Sequence, residues 1–155
     1  MSVSTPSTEG RFMVAVAAII ENRNGDILLI KRKAAIEPYI ECWEDVGGRL
    51  KQSESPHSGL KREIEEETGL KDIEIVKTLG ANFHYRNNER KPENEIIIIS
   101  YWCKTTSSTV KLSNEHSSYR WLSYQNALEL ASYNALKNNL QIYWKEKQRE
   151  NELIQ

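Results

Sequence analysis

The chain has 155 residues, enough for one domain with a sizeable core and too few for a multidomain assembly. Hydrophobic residues at 39% and charged residues at 28% are the composition of a soluble globular protein and exclude a disordered one. With 21 Lys and Arg against 22 Asp and Glu the formal charge is -1, so no global field favours a nucleic acid polymer or an anionic membrane as partner.

In chain order, residues 1–10 are rich in Ser and Thr without an apolar signal core and are expected to form a disordered leader. Residues 12–20 and 26–31 are apolar runs joined by a loop ending in Asn24-Gly25, which predicts a β-hairpin. The longer of these runs is too short to span a bilayer. Residues 34–39, with Pro38, read as a loop, and residues 43–46 as a short strand stopped by Gly47-Gly48. Ser55 as N-cap, Pro56 at the first helical position and Gly69 just past the end bracket a helix. Ile73, Ile75 and Leu79 then predict a strand, as does the run of isoleucines in residues 95–103, and residues 119–122 give a short one. From Ser123 to about Lys147 apolar residues recur at helical spacing, with a break near residues 132–134.

The order β-β-β-α-β-β-β-α fits an α/β (α+β) sandwich, a mixed sheet with helices on its faces. A single domain is expected over residues 11–147, with residues 148–155 as a fraying tail. Cys42 and Cys103 lack both metal-pair spacing and the density of a secreted scaffold, so reduced thiols in a cytoplasmic protein are expected. His57, His84 and His116 show no ligand spacing either, which argues against a zinc site.

Chemistry concentrates in residues 54–67, where five glutamates against Lys61 and Arg62 leave a local charge of -3. Glu63, Glu66 and Glu67 stand at i, i+3 and i+4, on one side of a helix beside the apolar Leu60 and Ile64. Carboxylates so arranged repel one another unless cations intervene, and hard divalent cations with oxygen ligands suit them. The same residues also fit a solvated helical face with an Arg62–Glu66 pair, and the helix alone leaves both readings open.

The surrounding pattern extends further: Gly48, five residues, Glu54, seven residues, then Arg62-Glu63-Ile64-Glu65-Glu66-Glu67-Thr68-Gly69-Leu70. It resembles the Nudix box at nine specified positions across 23 residues. Two departures stand out: Asp45-Val46 where the family usually has Leu-Pro, and Gly59 for a small alanine, which weakens a helix by about 1 kcal/mol. The resemblance implies a Nudix-type α/β/α sandwich and a hydrolase that uses Mg²⁺, with Mn²⁺ substituting. Its reaction would be cleavage of a phosphoanhydride in a nucleoside diphosphate linked to a further group.

Carried over onto this sequence, the resemblance makes Glu66 and Glu67 metal ligands and Gly48 a carbonyl ligand. Glu63 becomes a ligand or the group that orients water, and Arg62 with Glu54 a supporting ion pair. Glu63 is the first candidate for general base and Glu115 the second. The segment from Glu115 to Leu122 resembles one in dinucleoside tetraphosphate hydrolases. Phe83 and Tyr85, followed by Arg86, Arg90 and Lys91, offer an aromatic face for a base and cations for phosphates. The expected substrates are therefore nucleoside triphosphates, modified ones included, or dinucleoside polyphosphates, ahead of ADP-ribose and sugar nucleotides. A monomer or homodimer acting on small-molecule nucleotides is expected. A sensor that only binds nucleotides is the alternative, but the retained box glutamates speak against it, and isopentenyl diphosphate isomerase would need a histidine set that is not evident.

Overall fold

The structure is a computed structural model and describes residues 9–33 and 40–155; residues 1–8 of the expected leader and the expected loop at 34–39 lie outside the described residues. Strand β1 (Met13–Glu21) is the spine of a seven-stranded mixed sheet. Strand β6 (Glu95–Lys104) runs parallel beside its whole length, from Met13 opposite Ile96 to Glu21 opposite Lys104. Strand β5 (Glu74–Tyr85) lies antiparallel on the outer side of β6. On the other edge of β1, residues 15–18 pair with strand β4 (Val46–Arg49). Strand β2 (Ile27–Arg32) carries β3 (Trp43–Glu44) and β7 (His116–Leu122).

The apolar runs are continuous because both faces of the sheet are covered. Val16, Ala18, Ile20, Leu28 and Ile30 face helix α1 (Pro56–Thr68) through Leu60 and Ile64. Their neighbours Ile19, Ile27 and Leu29 face the other way, with Trp102, onto Leu136, Leu140 and Tyr143. Those last side chains belong to α3 (Asn134–Ile154), which follows the short α2 (Tyr124–Leu130). The result is the expected sandwich of helix, mixed sheet and helix. None of the helices among the described residues is long and apolar enough to cross a membrane.

Helix α1 has the predicted ends. Ser55 Oγ accepts the Ser58 N–H at 3.2 Å, and Gly69, at φ 74°, donates its N–H to Glu65 O. The break between α2 and α3 also falls where the sequence places it. Three details differ. The Asn24-Gly25 turn forms, with Gly25 at φ 79° and Asn22 Oδ1 accepting the N–H groups of Asn24 and Asp26, but the hairpin ladder is limited to Glu21 opposite Ile27. The rest of that edge of β1 is taken by β4. Gly47-Gly48 accordingly sits inside a strand instead of ending one, and a Cβ on Gly47 would lie 2.1 Å from Val16 O. Finally, α3 runs on to Ile154, past the point where its apolar spacing stops.

Candidate active site

Two walls of one cleft, of about 1020 Å³, bring the sequence candidates together. Helix α1 supplies Glu63 and Glu67, strand β4 supplies Gly47 and Gly48, and the turn before β7 supplies Glu115. The Glu115 backbone is fixed by the Lys33 N–H, which donates to its carbonyl at 2.8 Å, and by Ser113 Oγ, which accepts its own N–H at 3.3 Å.

Glu67 is buried, and its Oε2 accepts the Gly47 N–H at 3.2 Å. Burial pushes its carboxyl up to about 8 despite that hydrogen bond, with Glu44, Glu63 and Glu115 adding repulsion. Beside it Glu63 lies so close to β4 that a Cβ on Gly48 would be 2.4 Å from Glu63 Oε2. A side chain at this position would have to displace the Glu63 carboxylate, which Arg62 holds.

Arg62 ties the acids into one network. Its Nε and Nη2 fork onto Glu54 at 2.5 and 2.9 Å, and its Nη1 reaches Glu63 Oε1 at 2.8 Å and Glu66 Oε2 at 3.1 Å. Nη2 also donates to Arg49 O, while Glu54 Oε2 accepts the Lys51 N–H at 2.9 Å. The guanidinium and that N–H hold the Glu54 carboxyl down to about 2. Gly59 fits the same loop: a Cβ there would lie 2.2 Å from Leu50 Cδ2 and 2.9 Å from Glu54 Oε2. Arg62 and Glu54 thus form an ion pair between α1 and the loop before it. Glu66 is half-exposed, bound to Arg62, and is not on the cleft wall.

Cations also line the cleft: Arg32, Arg49, Lys51 and Arg86, the last at the start of a short 3₁₀ turn over residues 86–88. Of the expected base-binding residues, neither Phe83 nor Tyr85 is on the wall; they join it through Phe12, which is. The Phe12 and Phe83 rings meet edge to face at 6.3 Å, and Phe83 meets Tyr85 the same way at 5.2 Å. Arg90 and Lys91 are exposed and off the wall.

Sequence reasoning passed over Phe12, Arg32 and Glu44, and set His116 aside for want of ligand spacing. Phe12 precedes β1 and reads as a strand residue. Arg32, Glu44 and His116 come together only in space: Glu44 Oε1 takes Arg32 Nη2 at 2.9 Å and His116 Nε2 at 2.8 Å. The only available signals were Trp43-Glu44 ahead of the glycine pair and the Glu115-His116 dipeptide. A divalent cation fits this corner, since a ligand atom from each of Glu67, Glu115 and His116 lies within 4.8 Å of the others, and buried His116 Nδ1 has no hydrogen-bond partner among the described residues.

A mixed sheet between helical layers, with a glutamate-rich helix opening onto a cation-lined cleft, is the Nudix fold. Residues 11–141 match the family model of the NUDIX domain, and the chain belongs to the Nudix family of hydrolases. It is 31% identical over 117 residues to the CTP pyrophosphohydrolase of Escherichia coli strain K12, covering 76% of this chain and 81% of that one. To the asymmetrical bis(5'-nucleosyl)-tetraphosphatase of Rattus norvegicus it is 27% identical, over 79% and 80% of the two chains. To the ADP-ribose pyrophosphatase of Methanocaldococcus jannaschii it is 34% identical, over 76% of this chain and 66% of that one. The chain spans 62% of the length of one further curated relative. Among solved structures, the MutT protein of Methanosarcina mazei Go1 superposes with a TM-score of 0.69 at 27% identity, over 94% of this chain and 99% of that one.

Proposed function

We propose that the protein is a Mg²⁺-dependent hydrolase of a phosphoanhydride bond in a nucleoside diphosphate linked to a further group. Nucleoside triphosphates, modified ones included, and dinucleoside polyphosphates rank above ADP-ribose and sugar nucleotides. The observation that carries this reading is the convergence of Glu63, Glu67 and Glu115 on one cleft that is also lined by Arg32, Arg49, Lys51 and Arg86.

Glu63, Glu67 and the Gly48 carbonyl are the groups on the cleft wall assigned to hold the cation, with Glu66 able to join them only by leaving Arg62. When bound, Mg²⁺ or Mn²⁺ offsets the diphosphate charge and makes water a stronger acid. Glu63 orients the attacking water and is the first acceptor for its proton, with Glu115 the second, facing the site from a separate element. Arg86 and Arg49 line the same cleft and are the cations assigned to a polyphosphate tail. The aromatic corner of Phe12, Phe83 and Tyr85 offers a face to the base. The relatives at comparable identity act, by their names, on CTP, on dinucleoside tetraphosphates and on ADP-ribose, so the last of these is the second reading.

The test is a panel of ATP, dATP, CTP, 8-oxo-dGTP, diadenosine tetraphosphate and ADP-ribose, run with Mg²⁺ and with Mn²⁺, with products identified by mass spectrometry. A nucleoside triphosphate or diadenosine tetraphosphate is expected as best substrate, and Glu67→Gln is expected to lose turnover by orders of magnitude while still folding. A clear preference for ADP-ribose reverses the ranking. No hydrolysis of any substrate, with nucleotide still bound, returns the protein to the sensor reading.

A further inference from the structure

His116 opens β7 with a side chain fully enclosed by protein. A neutral imidazole carries one N–H donor and one lone pair, and a buried one needs a partner for each. Nε2 has its partner, Glu44 Oε1 at 2.8 Å. That carboxylate accepts only, and it is itself held by Arg32, Nη2 on Oε1 at 2.9 Å and Nε on Oε2 at 3.3 Å. The proton of the ring is therefore assigned to Nε2, which leaves Nδ1 as a bare lone pair. Among the described residues, buried Nδ1 has no hydrogen-bond partner.

The same side chain has a ligand atom within 4.8 Å of carboxylate oxygens of Glu67 and Glu115. A carboxylate fixing one ring nitrogen while the other ligates is the common arrangement around metal-bound histidines. We propose that His116 Nδ1 is a nitrogen ligand of a divalent cation held together with Glu67 and Glu115, and that Glu44 is the residue that positions the ring. This inference rests on the metal-dependent reading above and adds a donor outside the box. One nitrogen among carboxylates shifts the preference of the site away from Mg²⁺, which takes oxygen, toward Mn²⁺ and later first-row ions.

The experiment loads the 155-residue chain with Mn²⁺ alone and records electron spin-echo modulation, on samples grown with ¹⁴N- and with ¹⁵N-histidine. Expected is a histidine nitrogen coupling that changes with the label, persists in a His57→Gln/His84→Gln variant and disappears in His116→Gln. Calorimetry is expected to show Mn²⁺ affinity falling about tenfold or more in His116→Gln and about 10- to 100-fold in Glu44→Gln, with Mg²⁺ affinity falling less in His116→Gln. The first two measurements decide the matter even if His116→Gln does not fold. Bound Mn²⁺ without nitrogen coupling, or coupling lost in the His57/His84 variant, overturns the inference and leaves the metal-dependent reading intact. If Mn²⁺ does not bind at all, both fail.

Discussion

Arg62 shows how one side chain makes an acidic helix tolerable. It is mostly buried and reaches Glu54, Glu63, Glu66 and the Arg49 carbonyl at once. A planar fork with five donors can do this, whereas the point charge of lysine cannot. Arg62→Lys is therefore expected to loosen residues 49–54 and to lower activity about 10- to 100-fold, as outer partners of ligands do, while calorimetry still finds bound metal. The pH dependence has a definite sign. Glu54 is held down to about 2 from 4.5, Arg62 being the largest cause, so its contribution to stability is present above pH 4.5 and is lost as pH falls toward 2. The melting temperatures of wild type and Arg62→Lys should then differ more at pH 7 than at pH 3. An equal gap at both values would show that the fork does not stabilise the fold through Glu54. Glu67, on the same helix, moves in the opposite direction because it is buried among other acids, so environment and not residue type separates the two carboxyls.

Among the elements, the least regular one organises the site. Strand β3 is only Trp43–Glu44, yet it carries the carboxylate that holds Arg32 and His116. It is clamped by the break between α2 and α3: Trp43 N–H donates to Ser132 Oγ at 2.8 Å, Ser132 N–H donates back to Trp43 O at 3.2 Å, and Tyr133 Oη donates to Asp45 Oδ1 at 3.1 Å. The break itself was legible, because Ser and Asn interrupt the helical spacing. Its docking on β3 was not, since 89 residues separate Trp43 from Ser132 and no local pattern records such a pairing. Asp45, the departure from the usual Leu-Pro, finds its explanation here as the acceptor for Tyr133. Burial, then Glu44, push its carboxyl up to about 7 against the pull of that hydrogen bond. With the folded value raised, stability is full below pH 3.8 and declines as pH climbs to 7. Asp45→Asn keeps the acceptor and removes the titration. Its melting temperature relative to wild type should thus be more favourable at pH 8 than at pH 5, by about 2–4 °C for each kcal/mol recovered. A difference independent of pH would mean that Asp45 stays ionised in the fold without penalty.

At the scale of the molecule, what was legible is what is local. The box, the caps of α1 and the Arg62–Glu54 pair lie within 23 consecutive residues, and the fold keeps them as neighbours. The parallel pairing of β1 with β6 joins Met13 to Ile96, and the cleft is assembled by that pairing, which is why Phe12 at the head of β1 comes to stand beside β5. The sequence places the base-binding face on Phe83 and Tyr85; the sheet puts Phe12 on the cleft wall, with Phe83 between the two other rings. The aromatic corner is also poorly covered, Phe12 being 44% and Phe83 50% exposed, so a base packed there would gain apolar burial. Phe12→Ala is accordingly expected to raise KM on the best substrate by about 5- to 150-fold, the equivalent of a stacking contribution of about 1–3 kcal/mol. Because stacking acts equally on bound substrate and transition state, kcat should change little. Tyr85→Ala, one ring removed from the wall, should move KM less. Steady-state kinetics on both variants decides the assignment: a larger KM effect at Tyr85 than at Phe12 would move the base to the outer edge of β5, and unchanged KM in both would leave the corner as packing between β1 and β5.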